Sequence, residues 1–488
     1  MFRMRGRRLR VTAVLIGVVL LTATACSSDK KTPAAAGSGS SSSSSAVTDC
    51  KPVEAAKPTT TAGPTTTAAG ATTTTAGAPT TVGKPGAKGA LEGLRGTTPL
   101  VDLGADFKKV LDCQGLDLKK TYNYGAESYD AVTIVALAIQ LAKTDGIDMA
   151  KQINGVTRGG TKCKSFKECD ALIKAGTTDI DYDGISGPLE FSGNGEPTIA
   201  SYGVQQFGAD NRIDDSKTVF KTAKAPTSAD VAEVPVEGTR AGDGQLKIGT
   251  LLPETGSLAF LGPPEVAGVR AAIADINKAG GVLGKDALLT EGDSSDAQTP
   301  TVSQQTVDRE LGEGVDAIVG AASSSVTLGV IDKISAAGVV MFSPANTSKK
   351  LSTYPDKGLY FRDAPSDILQ GQVLGEVLAG DGISTVGLLV LNDAYGTGLA
   401  EDLTKSFEAS GGKVVISKIY DPKAQTFDNE VDAVKAQNPD GIVIIGFDES
   451  SRILNLLAQK GIGPKDKKVY GVDGNMGNTL GVNFDAGK

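Results

Sequence analysis

Short apolar runs alternate with amphipathic stretches along the second half of the chain, from residue 246 to residue 488. Apolar runs with the length of a buried strand occur at 246–252, 317–321, 339–342, 385–391, 414–420, 441–446 and 468–472. Residues 265–279 have helical spacing and end at a Gly-Gly pair. Strands that are apolar throughout are typical of parallel sheets covered by helices on both faces. The pattern predicts an α/β fold.

The segment 320–347 carries the clearest chemical signal within this pattern. Three serines, 323–325, follow one predicted strand, and Ser343-Pro-Ala-Asn-Thr347 follows the next strand along the chain. Ligands of parallel sheets bind beyond the carboxyl ends of the strands, and hydroxyls with free N–H groups at a helix start suit a carboxylate. The serines could instead only cap a helix. Two such loops on neighbouring strands favour a binding site.

The preceding stretch, 90–221, is also globular in composition but less regular. Residues 91–100 and 201–207 predict strands, and 131–141 predicts a strongly apolar helix. Residues 222–245 are polar and indicate a linker. We therefore expect two globular segments, 90–221 and 246–488.

The N-terminus has the features of an export signal. Five arginines within residues 3–10 precede an apolar stretch at 11–21, which is too short to span a membrane, and Ala-Thr-Ala then precedes Cys26. This resembles a bacterial lipobox, which implies a signal peptide over 1–25 and a Cys26 that carries acyl chains such as palmitate. An ordinary secretory signal is the alternative. Residues 26–89 are rich in Ser, Thr, Ala, Gly and Pro and predict a disordered tether.

Composition limits the chemistry. The chain has no His, which removes Ser-His-Asp and Cys-His catalytic sites and every His-ligated metal. Its net charge of −8 argues against a nucleic-acid partner. No G-x-S-x-G or P-loop motif is present. We expect no enzyme, no catalytic residue, no metal and no cofactor, although a carboxylate-pair glycosidase stays open.

Two pairs of cysteines and one acidic loop are candidates for structural sites. Cys163 and Cys169 are close in an exported chain and predict a local disulfide, and Cys50 and Cys113 could pair with each other. Residues 179–190 satisfy the EF-hand calcium-loop pattern. A Gly-Pro pair and an apparent strand and turn follow where an EF-hand begins its second helix, which argues against calcium.

Several motifs together resemble a known family. They lie at 248–257, 262–265, 274–284, 343–347 and 393–398, and they resemble the branched-chain amino-acid-binding proteins of ABC importers, here in a lipoprotein form. These are type I periplasmic binding proteins of the leucine/isoleucine/valine-binding type. The resemblance implies two α/β lobes, each a parallel sheet flanked by helices, with a ligand cleft between them and three crossing segments.

The resemblance also implies a function. A monomer held at the extracytoplasmic face of the cell membrane by its lipid would capture a small amino-acid-like ligand by lobe closure. It would deliver that ligand, of the branched-chain or a similar type, to an ABC permease. The alternative within the same fold is a ligand-sensing receptor without transport.

The order of the motifs differs from that of the family. Residues 124–132 and 181–188 resemble its C-terminal half, whereas its first strand resembles residues 246–252. The chain therefore resembles a circularly permuted member in which 222–245 join the original ends. Lobe one would be 246–363 plus 122–201, and lobe two 364–488 plus 89–121 and 201–207. The alternative is a rearranged or misassembled gene with a non-functional product.

The family's ligand-binding residues can be carried over position by position. Ser323, Ser324, Thr347 and the backbone of Ala345 would hold the ligand carboxylate, and Asp473 would hold the ammonium, although the family more often has glutamate there. Further positions implied at the cleft are Tyr395, Phe447, Leu261, Glu127 and Tyr129.

Overall fold

Two sheets organise the described part of this chain, which comprises residues 84–225 and 231–488 of a computed structural model. The predictions for the signal peptide, for Cys26, for Cys50 and for most of the tether lie outside these residues. No helix in the described ranges is both long and apolar enough to cross a membrane.

The smaller of the two sheets has five strands and defines what we call lobe one. Its strands are β6 (Lys247–Leu251), β7 (Leu288–Thr290), β8 (Ala317–Gly320), β9 (Val340–Ser343) and β10 (Tyr360–Arg362). They lie in the order β10-β9-β8-β6-β7, and all pairs are parallel. The carboxyl ends of β8 and β9 therefore lie side by side.

The larger sheet has seven strands and defines lobe two. Its strands are β1 (Arg95–Pro99), β4 (Ile199–Gln206), β5 (Val219–Lys224), β11 (Thr385–Leu391), β12 (Lys413–Tyr420), β13 (Gly441–Ile445) and β14 (Lys468–Gly471). The order is β12-β11-β13-β14-β1-β4-β5. The five strands from β12 to β1 are parallel to one another. Strand β4 is antiparallel to β1, and β4 and β5 form an antiparallel hairpin at the edge of the sheet. The prediction of a purely parallel sheet is therefore corrected for lobe two.

Helices cover both sheets. Those packed with lobe one are α2 (Gly125–Ala142), α3 (Ala150–Val156), α4 (Phe166–Lys174), α5 (Gly262–Lys278), α6 (Pro300–Glu313) and α7 (Ser324–Ala336). Those packed with lobe two are α8 (Asp367–Gly380), α9 (Ala394–Ala409), α10 (Asp428–Gln437), α11 (Ser450–Gln459) and α12 (Asn478–Ala486). A short parallel pair, β2 (Thr161–Cys163) and β3 (Ile180–Tyr182), lies beside α4. The predicted α/β fold of a type I periplasmic binding protein is confirmed.

Both globular segments contribute to both lobes. Strand β1 pairs directly with β14, with Arg95 opposite Tyr470, and α2 packs along α5. The chain passes between the lobes from β1 to the next helix, from β3 to β4, from β5 to β6 and from β10 to α8. The connection from β5 to β6 is the predicted linker. It adds a fourth crossing to the three that the resemblance implies.

The ends of the predicted linker and tether are structured. Strand β5 includes residues 222–224, so the linker begins within a strand. Farther along, Arg240 pairs with Asp316 of lobe one at 2.7 Å, and Asp145 accepts the N–H groups of residues 244 and 245. Gly86, predicted to belong to the tether, donates its N–H to the carbonyl of Phe484 at 2.9 Å. The described end of the tether is therefore part of lobe two.

Helix α1 (Ala105–Asp112) lies in a different lobe from the one predicted. The sequence places residues 89–121 in lobe two, but Leu111 and Leu118 are buried against Ala267 of α5. The apolar face of α1 is covered by lobe one, and burial of that face decides its position. Residues 89–121 are therefore divided between the lobes.

The close approach of α2 and α5 provides a test of the fold. A Cβ on Gly268 would lie 2.1 Å from the carbonyl oxygen of Gly125, whereas a Cβ on the exposed Gly329 of α7 would meet nothing within 4 Å. Gly268→Ala should destabilise the protein by about 1–3 kcal/mol because the helices must separate. Gly329→Ala should stabilise it by about 0.5–1 kcal/mol, since it removes only the helix cost of glycine. Urea unfolding of both variants checks this, and equal effects would contradict the α2–α5 contact.

Candidate ligand-binding site

Two loops at the carboxyl ends of β8 and β9 form one wall of the candidate site. Ser323 caps α7, its Oγ accepting the N–H of Val326 at 3.4 Å. Ser324 follows in the first turn, and its Oγ accepts the N–H of Ser348 at 3.3 Å. Ser323, Ser324 and Thr347 are all buried, with at most 3% of each residue exposed. The wall therefore presents hydroxyls and a helix N-terminus towards an interior space.

Asn346 locks the two loops together. Its Nδ2 donates to the carbonyls of Ala321 and Ala322, both at 2.8 Å, and its Oδ1 accepts the hydroxyl of Tyr360 at 3.0 Å. The Oγ of Ser343 donates to the carbonyl of Ala321 at 2.7 Å. The buried polar groups of the two loops thus satisfy one another, which fixes the positions of the hydroxyls.

The fully buried Arg362 supports the second loop from behind. Its Nη1 donates to the carbonyls of Asn346 at 3.1 Å and Ser348 at 3.0 Å, and its Nε donates to Glu196 at 2.9 Å. Glu196 lies on the connection from β3 to β4, and Arg362 ends β10 just before the crossing to α8. One guanidinium therefore ties the candidate site to two of the crossing segments.

Asp473, just beyond β14, forms the opposite wall. It is 4% exposed and accepts the hydroxyls of Tyr395 at 2.6 Å and Tyr124 at 2.8 Å. Burial raises the pKa of this carboxyl, and the two tyrosine hydroxyls act in the opposite direction. A single negative charge, oriented by two donors from separate segments, is suited to a cationic group of a ligand.

These walls enclose a small cavity between the lobes. It is lined by Ser323, Ser324, Ala345, Thr347, Tyr395, Phe447, Asp473 and Leu261, which are eight of the ten predicted positions, together with Tyr124, Leu258, Ala322 and Gly474. The rings of Tyr395 and Phe447 stack at 5.5 Å. The cavity volume is about 20 Å³, roughly the space of one water molecule. A larger molecule can therefore occupy it only if the lobes move apart.

Glu127 and Tyr129 do not reach this cavity. Both lie in the first turns of α2, which is buried on almost every side. The hydroxyl of Tyr129 donates to Asp275 of α5 at 2.8 Å. Burial raises the pKa of Glu127 to about 8. The prediction that these two residues reach the cleft is not met at this cavity, which neither of them lines.

Sequence analysis missed four lining residues, of which Tyr124 is the most important. It immediately precedes α2 in a left-handed conformation, with φ of 60°, and directs its hydroxyl to Asp473. A polar aromatic residue before a strongly apolar helix was the available signal. Leu258, Ala322 and Gly474 adjoin predicted positions but belong to turns without periodicity.

A lysine occupies the acidic loop that matches a calcium pattern. Lys162 Nζ lies 2.8 Å from Asp181, 2.9 Å from Asp183 and 3.5 Å from Glu190. An ammonium therefore balances these carboxylates in place of a metal ion. No cluster of metal-ligating side chains occurs within residues 84–225 and 231–488.

The cysteines of the described segments are bonded. Cys163 and Cys169 form a disulfide with an S–S distance of 2.07 Å. Cys113 also takes part in a disulfide. Cys50, its predicted partner, lies outside the described residues.

A second carboxyl lies near Asp473 without lining the cavity. Asp367, at the start of α8, is fully buried, and its pKa is raised first by burial and then by the charge of Asp473. It belongs to the same lobe as Asp473. Among the described residues that line the cavity, Asp473 is the sole carboxyl.

The chain has two lobes with a cavity between them, and comparison with known proteins shows which family it resembles. Residues 245–482 match the family described as periplasmic binding protein. A Leu/Ile/Val-binding protein, BraC3, of Rhizobium johnstonii is 27% identical over 48% of this chain and 62% of the relative. A leucine-, isoleucine-, valine-, threonine- and alanine-binding protein of Pseudomonas aeruginosa is 30% identical over 48% of this chain and 61% of the relative. The chain thus spans about three-fifths of the length of these relatives.

Among solved structures, similarity extends to the branched-chain amino acid transporter substrate binding protein LivJ of Streptococcus pneumoniae in complex with isoleucine. The identity is 28%, the TM-score is 0.42, and the match covers 47% of this chain and 64% of that one. Residues 245–482 of the chain are thus similar to periplasmic binding proteins, among them relatives named as Leu/Ile/Val-binding proteins.

The hydrogen bonds to Asp473 yield a prediction for stability without ligand. Tyr124→Phe and Tyr395→Phe should each lower the free energy of unfolding by about 1.5–3 kcal/mol, because each removes a donor to a buried charged group. Tyr354→Phe is the matched control, since its hydroxyl donates to Asp332 at the surface, and it should cost less than about 1 kcal/mol. Chemical unfolding of the three variants measures the difference. Equal costs at the three positions would contradict a buried, ionised Asp473.

Proposed function

We propose that this protein is a lipid-anchored, extracytoplasmic solute-binding protein that captures a small α-amino acid by lobe closure and delivers it to an ABC permease as a monomer. The observation that supports this most strongly is the pairing of hydroxyls and a helix N-terminus on one wall of the cavity with Asp473 on the other. An α-amino acid carries a carboxylate and an ammonium on one carbon, so it matches both walls at once.

The lobe-one wall suits the ligand carboxylate. Helix α7 has 13 residues, and its first N–H groups and partial positive charge point towards the cavity side of the sheet. Ser323, Ser324 and Thr347 add hydroxyls, and Ala345, whose N–H is donated to the Oγ of Ser343 at 3.3 Å, lies beside them. These groups can stabilise a carboxylate without a fixed counter-charge, which is compatible with reversible binding.

The lobe-two wall suits the ammonium and an apolar side chain. Asp473 supplies the negative charge, and the stacked rings of Tyr395 and Phe447 lie beside it. Leu258 and Leu261 line the same cavity from lobe one. The relatives are named as binding proteins for leucine, isoleucine and valine. Amino acids of this type or similar ones are therefore the first candidate ligands.

Lobe closure follows from the size of the cavity. An amino acid does not fit in about 20 Å³, so binding needs the lobes to separate and then to close around the ligand. The crossing segments at Glu196 and Arg362 support the loops of the cavity and are the expected hinge. Acyl chains on Cys26 would hold the protein at the membrane beside its permease.

The chain order is proposed to be a genuine circular permutation. Residues 95–224 supply three strands of the lobe-two sheet, the last of them at its edge, and α2 packs on α5 in lobe one. The original ends would be joined by 222–245, whose described part is held by Arg240 and Asp145. Permutation is tolerated when the joined ends are accessible and the new break lies at the surface.

A thermal melt of the mature chain with a panel of amino acids tests the proposal. A ligand at about 100 times its Kd should add roughly 2.7 kcal/mol and raise the midpoint by a few degrees. Asp473→Asn should remove most of this shift, and Asp332→Asn, at the surface, should preserve it. A cooperative melt that no amino acid moves would contradict amino-acid binding. The absence of a cooperative melt would favour a non-functional rearranged product.

A further inference from the structure

A second, larger cavity opens between the lobes beside the candidate site. Its volume is about 450 Å³, and Phe447 lines both cavities. Lobe one contributes Ser257 and Asp296, and lobe two contributes Asp448 and Glu449, which directly follow Phe447. A ligand that passes the ring of Phe447 therefore meets this cavity next.

Three of the seven charged residues that line this cavity, Asp296, Asp393 and Arg452, already have partners. Asp296 accepts the N–H groups of Ser257 at 3.1 Å and Gln298 at 2.9 Å. Asp393 accepts the N–H of Gly396 and the hydroxyl of Ser325. Arg452 donates to the carbonyls of residues 422 and 424 and lies over the ring of Phe427 at 4.8 Å. These groups maintain the rim and are not available to a ligand.

Two neighbouring carboxyls differ from this pattern. Glu449 is 5% exposed; its Oε1 accepts the hydroxyl of Tyr420 at 2.6 Å and the N–H of Phe447 at 2.9 Å, but its buried Oε2 has no hydrogen-bond partner among the described residues. Asp448, which is half-buried, lines the same cavity beside Glu449, and its carboxyl is hydrogen-bonded by the backbone of Glu449. A buried acceptor without a donor costs about 1–3 kcal/mol. A cationic group in the cavity would provide the missing donors.

We propose that Asp448 and Glu449 bind the distal cation of the ligand, so that this protein prefers a basic α-amino acid, with an ammonium or guanidinium at the end of an apolar stem. This inference rests on the proposed function and specifies its substrate class. The stem would lie against Phe447 and Leu258, and the tip would reach the second cavity. Long cationic side chains commonly bury their methylenes while the charged end finds polar partners.

The preference for a basic amino acid should depend on pH, because the carboxyl of Asp448 ionises. Burial, followed by the charge of Glu449, raises the pKa of Asp448 to about 7, while Arg452 lowers it and Asp296 raises it. The other charged groups around the cavity are Asp393, Lys423 and Lys488. Because the carboxylate form holds a cation better, affinity for a basic amino acid should rise as the pH increases through about 7.

Calorimetric titration of the mature protein with L-lysine and L-norleucine tests the inference, because the two share a stem and differ in the terminal ammonium. At pH 8, lysine should bind at least about tenfold more tightly than norleucine, which is the effect of one charge-assisted contact of roughly 1.4 kcal/mol. Asp448→Asn should abolish this ratio and leave norleucine binding within about twofold of wild type, on the same scale of free energy. Asp466→Asn, an exposed change elsewhere in lobe two, is the control.

The outcomes separate this inference from the proposed function. Norleucine or leucine binding as tightly as lysine would overturn the inference and leave the amino-acid-binding proposal intact. So would an equal loss of affinity for both ligands in Asp448→Asn, since that would indicate a structural defect. Failure of every amino acid to bind would overturn both. A lysine preference that grows from pH 6 to pH 8, with norleucine binding unchanged, would support it independently.

Discussion

The buried guanidinium of Arg362 is the interaction on which the arrangement of the site depends. It ends the last strand of lobe one, holds the loop that carries Ala345 and Thr347 through two carbonyls, and pairs with Glu196 on another crossing segment. A buried charge of this kind is costly unless every donor is used. Here its bonds reach one loop and two crossings, so the position of the lobe-one wall and the position of the hinge are determined together. Any movement of the crossings is transmitted to the hydroxyls that face the cavity.

The opposite wall also depends on a buried charge that is held by hydrogen bonds, but here the charge is negative. Asp473 is a buried carboxylate whose oxygens are held by Tyr124, from lobe one, and Tyr395, in lobe two. A helix N-terminus without a fixed charge and a carboxylate with two hydroxyl donors thus face each other across the cleft. This asymmetry supports the proposal of a zwitterionic ligand.

The sequence predicted much of this because the determinants are local. Strand positions such as Thr385–Leu391 follow from unbroken apolar runs, and the serines and Asp473 follow from their position after such runs. The errors concern side chains whose direction depends on tertiary packing. Helix α2 is buried on nearly every face, so its sequence has no polar side that could show where Glu127 and Tyr129 point. Likewise, α1 is short, and only contact with Ala267 places it in lobe one. Tyr124 reaches the cavity from the connection between α1 and α2, which has no periodic pattern.

The proposed function requires the two lobes to close over an amino acid. Gln298 and Lys423 are exposed residues on opposite lobes that line the same cavity between them. Spin labels on cysteines introduced at both positions would report the distance across the cleft by pulsed electron paramagnetic resonance. Without ligand, we expect a long mean distance or a broad distribution. With a saturating amino acid, the mean distance should become shorter and the distribution narrower. A distribution that stays the same while calorimetry shows the amino acid bound would contradict lobe closure as the binding mechanism.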